Sequence, residues 1–465
     1  MKTIPLHKFN SVVETIGNTP IIKLRSVGEL QGTYYAKVEA FNPGGSSKDR
    51  IGLSIIEEAE QQGLIQPGGT IVEATSGNTG LGLALVAIDR GYKIILVMPD
   101  KMSPEKMNLV KAVGATVVIC PTEVKPDDPR SYYSVAKRIA EETPNSFYAN
   151  QYFNEANPLA HYKTTGPEVW HQTEGKVTHF IAGMGTGGTI SGTAKFLKEK
   201  NPEIRIIGVD PEGSILAYYH QHRTTDGAIA EGYKVEGVGE DIIPSNVHFD
   251  LIDDVVTISD QVSFEWSRRL AREDGLLMGG SSGLAVAGAV KYAQKHIVDP
   301  NAVVVILLPD TGGRYLGKVF SDSWLRSNGF LPPARSIGEI LGSKPANLPA
   351  LISIPATSTL LDALDKFRKF SVDVLVVEGE DRQGKLFLPK ELVQDQLLAG
   401  SSPNITLETL SLEEVMYLDM NSSLDTLRQS VLHHGQVVIT EDGQAVGVVT
   451  KQNIIDNTNF TGAPN

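Results

Sequence analysis

Between residues 34 and 309, short runs of aliphatic and β-branched residues alternate with longer stretches whose apolar positions recur every three or four residues. The runs "YYAKVEAF", "GGTIVEAT", "YKIILVMP", "ATVVIC", "VTHFIAGMG", "RIIGVDP" and "AVVVILLP" have the length and composition of buried strands. "SPEKMNLVKAVG" and "GTISGTAKFLKEK" read as amphipathic helices. Repeated strand and helix with short connections predicts an α/β fold of parallel sheets covered by helices, because a parallel crossover has to carry its helix over the sheet. Ligands in such folds bind beyond the carboxyl ends of the strands, so the loops after these runs are the places to look for chemistry.

The pattern changes after "SDSWLRSNGFLPPARS", where a Pro-Pro pair follows a helical segment. Residues 331–336 therefore read as a linker between a core of residues 1–330 and a tail of residues 337–465. The tail holds a weak repeat, "STLLDALDKFRKFSVDVLVVEGED" echoed by "SSLDTLRQSVLHHGQVVITEDG". Each copy is a helix, a strand and an acidic turn. One such unit cannot bury its own apolar face, so the two copies are expected to pack into one small domain.

Composition narrows the function classes. A chain of 465 residues is long enough for two or three domains with cores of their own. Its formal charge of −13 argues against nucleic acid or an anionic membrane as partner, since a phosphate backbone is held by clustered Lys and Arg. The longest aliphatic stretch, "AVVVILL", falls far short of the roughly 20 residues that span a bilayer, and the N-terminus has no signal-like apolar block. A cytoplasmic enzyme is the expectation. The single cysteine, Cys120, closes a strand-like run and reads as a buried structural thiol; no intrachain disulfide and no metal site are expected.

Four loops carry the chemical signal. In "FNPGGSSKDR" at 41–50, turn residues lead into a helix whose first turn contains Lys48. A cation there faces the positive end of the helix dipole at a cost of about 0.3 to 1 kcal/mol, which asks for a reason. "TSGNTG" at 75–80 crowds Thr75, Ser76, Asn78 and Thr79 around a helix start, suited either to capping that helix or to holding a carboxylate or phosphate. "GMGTGGT" at 183–189 satisfies G-x-G-x-x-G, with Asp210 ending the next strand as a ribose-binding acid would. The same loop suits a single phosphate, so a nicotinamide-dependent dehydrogenase and a phosphate cradle both stand at this point. In "GGSSG" at 279–283, Ser281 reads first as a helix cap, and otherwise as a neutral hydroxyl for a heteroaromatic nitrogen.

Taken together, "IGNTPIIKL", "FNPGGSSKDR", "TSGNTG", "NQYFN", "NPLAHY", "GMGTGGT", "GVDPEGSI", "GGSSG" and "SDSWLRSNGF" follow one another in a single order over about 330 residues. In that order they resemble the fold-type II pyridoxal-phosphate enzymes of the cysteine synthase and cystathionine β-synthase family. The resemblance implies pyridoxal 5'-phosphate as cofactor, with Lys48 as its Schiff-base lysine and the catalytic base. It further implies Asn78 at the phenolic oxygen, Gly185, Thr186, Gly187, Gly188 and Thr189 around the phosphate, and Ser281 at the pyridine nitrogen. Thr75, Ser76, Thr79 and Gln151 would hold the amino-acid carboxylate, with Tyr152 and Gly239 lining the site. The implied reaction is a β-replacement that condenses L-serine with L-homocysteine to L-cystathionine, a step of transsulfuration and cysteine biosynthesis. A homodimer or higher homo-oligomer is implied as well.

Where the chain departs from family patterns, the expectation changes. Animal members carry an N-terminal haem segment with cysteine and histidine ligands; here no cysteine precedes Cys120, so no haem is expected. At 237–241 the chain reads "GVGED", with glutamate where animal synthases have tyrosine and cysteine synthases alanine. "LLPDTGGRY" leans toward cysteine synthases, which keeps O-acetylserine or O-phosphoserine with sulfide as the alternative pair of substrates. The tail resembles tandem CBS domains, regulatory modules that bind adenosyl ligands such as S-adenosylmethionine. Thr450 and Asn453 stand where such a site would be, but Asn replaces the usual Asp and the first copy, "LFLPKELV", matches neither position. A dehydrogenase and a non-catalytic adenosyl-ligand sensor complete the alternatives; the combination of Lys48, Asn78 and Ser281 argues against both.

Overall fold

Each of the seven apolar runs forms a strand, and three strands join them that the pattern did not announce. The computed structural model describes residues 8–75, 77–100, 102, 104–125, 128–296, 298–343, 351–378 and 385–458. In the first 316 residues the strands are β1 (Ile21–Lys23), β2 (Thr33–Val38), β3 (Thr70–Ala74), β4 (Lys93–Pro99), β5 (Thr116–Cys120), β6 (Ser146–Tyr148), β7 (His179–Gly183), β8 (Arg205–Pro211), β9 (Asp254–Ile258) and β10 (Val303–Leu308). They build two sheets, a four-stranded one in the order β5-β4-β3-β6 and a six-stranded one in the order β1-β2-β10-β7-β8-β9. The smaller sheet is parallel throughout; in the larger, only the edge strand β1 runs antiparallel, against β2. β10, last in the sequence, enters between β2 and β7, so the segment that follows it emerges among the older loops.

Helices cover these sheets because their apolar stripes match the sheet faces. Ile51, Ile55, Ile56 and Ala59 of the helix Lys48–Gln61 join Ile71, Leu83 and Leu96 in the core over the smaller sheet. Ile190, Ala194 and Leu197 of the helix Gly188–Lys200 join Phe180, Ile206 and Val305 over the larger. Among the described residues no helix is long and apolar enough to cross a membrane.

The chain divides into two units at Leu316/Gly317, upstream of the Pro-Pro pair that marked the expected linker. The physical reason is the helix Asp322–Ser327, whose Arg326 donates to Asn457 Oδ1 at 3.1 Å, while Ala334 N donates to Asn457 O at 3.2 Å. These bonds tie residues read as the end of the core to the end of the second unit. There the repeat is plain: after the short strands β11 (Ser353–Pro355) and β14 (Tyr417–Asp419), the helices Leu360–Phe370 and Leu424–His434 each lead into an antiparallel pair, β12 (Val374–Glu378) with β13 (Lys385–Pro389) and β15 (Gln436–Glu441) with β16 (Gln444–Thr450). Each copy has a core of its own, and Val376 and Phe387 of one meet Val438 and Val448 of the other, as a unit too small to bury its own face requires.

Candidate active site

The loop that carries Lys48 is stitched to the segment after β10. Ser47 N donates to Pro309 O at 2.8 Å, and Thr311 N to Gly45 O at 3.1 Å. The helix Lys48–Gln61 then packs against the helix Asn78–Arg90 through Gly52 and Gly82; a Cβ on Gly82 would overlap the Lys48 carbonyl. Only glycine permits this approach, and it sets the starts of the two helices side by side. Burial holds the Lys48 amine below its ordinary pKa, against the opposing pull of Asp310, Glu240 and Glu39. Among the described residues its Nζ has no hydrogen-bond donor role, so the amine is free to react.

The second loop leaves β3 and is held by Thr75 N on Val97 O at 3.0 Å. Its helix begins at Gly77 without a side-chain cap, which removes the capping reading of the loop. Thr75 Oγ1 accepts from Gly77 N at 3.1 Å, and Thr79 Oγ1 donates to Gln151 Oε1 at 2.6 Å, both in buried surroundings. Ser76 lies outside the described residues. Asn78 is oriented by two charged partners, donating from Nδ2 to Asp310 Oδ2 at 2.9 Å and accepting at Oδ1 from Arg314. An acceptor on one side and a cation on the other leave the amide no reason to flip, and its second N–H stays available. Tyr315 Oη adds a 2.6 Å bond to the same Asp310 oxygen.

The third loop opens the helix Gly188–Lys200 at Gly187, again without a side-chain cap, with Gly187 at φ +89°. A Cβ on Gly188 would overlap Asn157 Oδ1. Asn157 cannot yield, because its Nδ2 donates to Gln151 O at 2.9 Å and to Thr186 Oγ1 at 3.0 Å. Thr189 Oγ1 meets His161 Nε2 at 3.1 Å, and Thr165 Oγ1 stands 2.8 Å from the other ring nitrogen. Burial pushes the His161 pKa down to about 3, so the ring is neutral. Lys48, Gly185, Thr186, Gly187 and Thr189 line one cavity with Gly237 and Val238. Gly239 follows at φ +74° and donates to Met184 O at 2.7 Å, which ties its loop to the glycine loop. Tyr152 packs edge-on to Tyr133 at 5.6 Å.

Two sequence readings are overturned here. Ser281 does not cap its helix: the first residue outside that helix is Gly279, and Ser281 sits buried within the first turn. Asp210 is no ribose acid: it is fully buried at the end of β8, accepting from Ala217 N at 2.8 Å, and burial pushes its pKa up to about 7. The strand order also differs from the 3-2-1-4-5-6 sheet of dinucleotide-binding folds. Thr450 and Asn453 belong to the second unit and bond to each other in a capping box. Asp310, Arg314, Tyr315, Asn157 and His161 were not singled out as site residues from the sequence, although "LLPDTGGRY" contains the first three and "NPLAHY" the last two.

Residues 12–310 match the family described as pyridoxal-phosphate dependent enzyme. The chain belongs to that family. A cystathionine β-synthase of Dictyostelium discoideum is 37% identical over 465 residues, covering 96% of this chain and 91% of the relative. A cystathionine β-synthase of Apis mellifera is 47% identical over 325 residues, covering 69% of this chain and 63% of the relative. Among solved structures, an O-acetylserine dependent cystathionine β-synthase from Helicobacter pylori superposes with TM-score 0.61 at 40% identity, covering 67% of this chain and 99% of its own.

The pocket fits the family cofactor on physical grounds. Pyridoxal phosphate needs an amine, an anion cradle and a hydroxyl or amide for its ring. The cavity brings together a partly buried lysine and an uncapped helix start behind a left-handed glycine, which suit the amine and the anion cradle; the fixed Asn78 amide and the buried Ser281 hydroxyl have the chemistry a ring needs but are not among the residues that line it.

Proposed function

We propose that the chain condenses L-serine with L-homocysteine to L-cystathionine, releasing water, with pyridoxal 5'-phosphate as cofactor. The observation that carries this reading is the Lys48 amine, its pKa lowered by burial, in one cavity with the uncapped loop 185–189. When bound, the cofactor supplies an electron sink for the substrate α-carbon. Lys48 would hold it through its amine. Backbone N–H groups from Gly185 to Thr189, with the Thr186 and Thr189 hydroxyls, would hold its phosphate, because a helix start presents unpaired donors. Asn78 would donate its free N–H to the phenolic oxygen. Ser281 would meet the ring nitrogen without forcing a proton onto it, as an acidic side chain there would.

Thr75, Ser76, Thr79 and Gln151 would bind the serine carboxylate, and Tyr152 and Gly239 would line the substrate side. Freed from the cofactor, the Lys48 amine takes the α-proton of serine and returns it once sulfur has replaced oxygen at the β-carbon. A base has to be neutral to accept a proton, and burial supplies that by disfavouring the ammonium. The helix start, a misfit for a cation, acts in the same direction.

A second reading draws on the Helicobacter pylori relative, named for its dependence on O-acetylserine. Under it the same machinery expels acetate or phosphate instead of water, and sulfide is the acceptor as in cysteine synthases. The second unit is proposed as a tandem CBS-domain regulatory module with S-adenosylmethionine as candidate ligand, and the protein as a cytoplasmic homodimer or higher homo-oligomer.

The test compares wild type and Lys48→Ala with serine plus homocysteine, and with O-acetylserine plus sulfide. The wild type should be yellow and form cystathionine; the variant should fold and lose at least about 10³-fold in rate, the range expected when a general base is removed. Strong preference for O-acetylserine would move the assignment to the second reading. A colourless wild type that reduces NAD would overturn both.

A further inference from the structure

The loop that carries Gly237 and Val238 into the cavity also brings a carboxylate. Glu240 is held at its backbone on both sides: its N–H donates to Ser214 Oγ at 3.0 Å, and its carbonyl accepts from Ile215 N at 3.0 Å. From this fixed point Glu240 Oε1 reaches to 3.7 Å from where a Cβ on Gly185 would stand, and Gly185 lines the cavity with Lys48. Its charge acts on Lys48 and on Tyr132, Tyr133 and Tyr152. Those tyrosines form a connected wall, with ring centroids 4.0 Å apart for Tyr132 and Tyr133 and 5.6 Å for Tyr133 and Tyr152.

An anionic group beside an aromatic wall distinguishes between the two acceptors considered above. Homocysteine carries an ammonium on a short methylene chain, whereas hydrosulfide is a small anion. A carboxylate in surroundings drier than bulk water attracts the first and repels the second, and tyrosine faces suit methylenes. We propose that Glu240 is the residue that selects the second substrate, binding the ammonium of a thiol amino acid and disfavouring small anionic thiols. Glu240 makes and breaks no bond: the thiol sulfur bonds to the β-carbon, and Lys48 handles the α-proton. This inference rests on the β-replacement reading.

The experiment measures kcat and KM with saturating serine for three thiols: homocysteine, γ-mercaptobutyrate (the same chain without the ammonium) and uncharged β-mercaptoethanol. In Glu240→Gln, the preference for homocysteine over γ-mercaptobutyrate, read as a ratio of KM values, should fall about tenfold, the worth of one charge-assisted contact. Glu240→Asp should recover part of it. A ratio that stays constant while all three thiols change together, or a change confined to kcat, would overturn the inference. So would an effect that vanishes when O-acetylserine replaces serine, because it would place Glu240 at the leaving group. A wild type that joins no thiol at all overturns the function and the inference with it, and so separates the two failures.

Discussion

Four helices of the first unit, those that carry the candidate site residues, begin differently from most helices of the second. The helices starting at Lys48, Asn78, Gly188 and Gly280 follow Ser47, Gly77, Gly187 and Gly279, none of which caps its helix with a side chain. In the second unit Ser321, Ser336, Thr359, Ser423 and Thr450 each accept a hydrogen bond from the helix they precede. A side-chain cap stabilises by about 1 kcal/mol. The first unit forgoes a cap from the residue before these four helices, although Ser46 Oγ accepts from Lys48 N at 3.3 Å; in the second unit the helix Lys390–Leu398 alone among the described α-helices lacks one. Whether a helix start is a site thus turns on who satisfies its donors, and the polarity of nearby residues does not decide it.

The largest break in this contrast should come from adding one methyl to each kind of start. Gly188→Ala forces a Cβ onto Asn157 Oδ1, whose amide is pinned at two acceptors, so about 3 kcal/mol of stability and most cofactor binding should be lost. At Gly338, in the helix Ile337–Gly342 of the second unit, the nearest atom to a new Cβ is Ser336 Oγ at 3.7 Å. Gly338→Ala should therefore be neutral, or stabilise by up to about 1 kcal/mol through helix propensity. Urea unfolding followed separately for visible absorbance and for helix content reads both. Equal effects at the two glycines would remove the distinction.

Much of this was legible in the residues, for a definite reason. Strand-length apolar runs report burial on both faces, so the α/β layering followed from them, and the loop residues lay at strand ends as such a layering requires. What stayed hidden depends on partners far apart in sequence. Asn78 and Asp310 meet across 232 positions, and Asn78 and Arg314 across 236. Nothing local marks Asp310 as the orienting group, because it acts only once β10 has inserted between β2 and β7. The weakly patterned β1, β6 and β9 escaped notice, and β1 and β6 have three residues each. The division at Leu316/Gly317 lies upstream of the Pro-Pro pair for the same reason: proline marks a turn, but Arg326 and Ala334 bond to Asn457, far along the chain.

The open start of the helix Gly188–Lys200 leans on His161, and this makes a pH experiment informative. His161 titrates at about 3 when folded because burial disfavours its charge, against an ordinary 6.5. The unfolded chain therefore takes up a proton as pH falls through 6.5, and the native chain does not until about 3. Stability from this group is complete above 6.5 and is lost on acidification at up to about 1.4 kcal/mol per pH unit. Relative to wild type, His161→Gln should lose about 2 kcal/mol less between pH 7 and pH 5 in urea midpoints. Parallel pH profiles would show that the ring is already solvated.

The smallest effect sharpens the other side of the contrast. Thr450 N and Oγ1 both donate to Asn453 Oδ1, at 3.1 and 3.2 Å, while Asn453 N donates back to Thr450 Oγ1 at 3.4 Å. Thr450→Ala should lower the stability of the second unit by about 1 kcal/mol, measured by thermal unfolding. The same bonds bear on ligand binding, because a ribose hydroxyl that engaged Asn453 would first have to displace this cap. Its cost of about 1 kcal/mol corresponds to roughly a fivefold loss of affinity. Asn453→Asp keeps an acceptor for both Thr450 donors and adds a charge that a helix start favours and a ribose hydroxyl bonds more strongly. Calorimetry with S-adenosylmethionine should therefore give more heat for Asn453→Asp than for wild type. Equal, vanishing heats at millimolar ligand would leave Thr450 and Asn453 with the cap as their whole role.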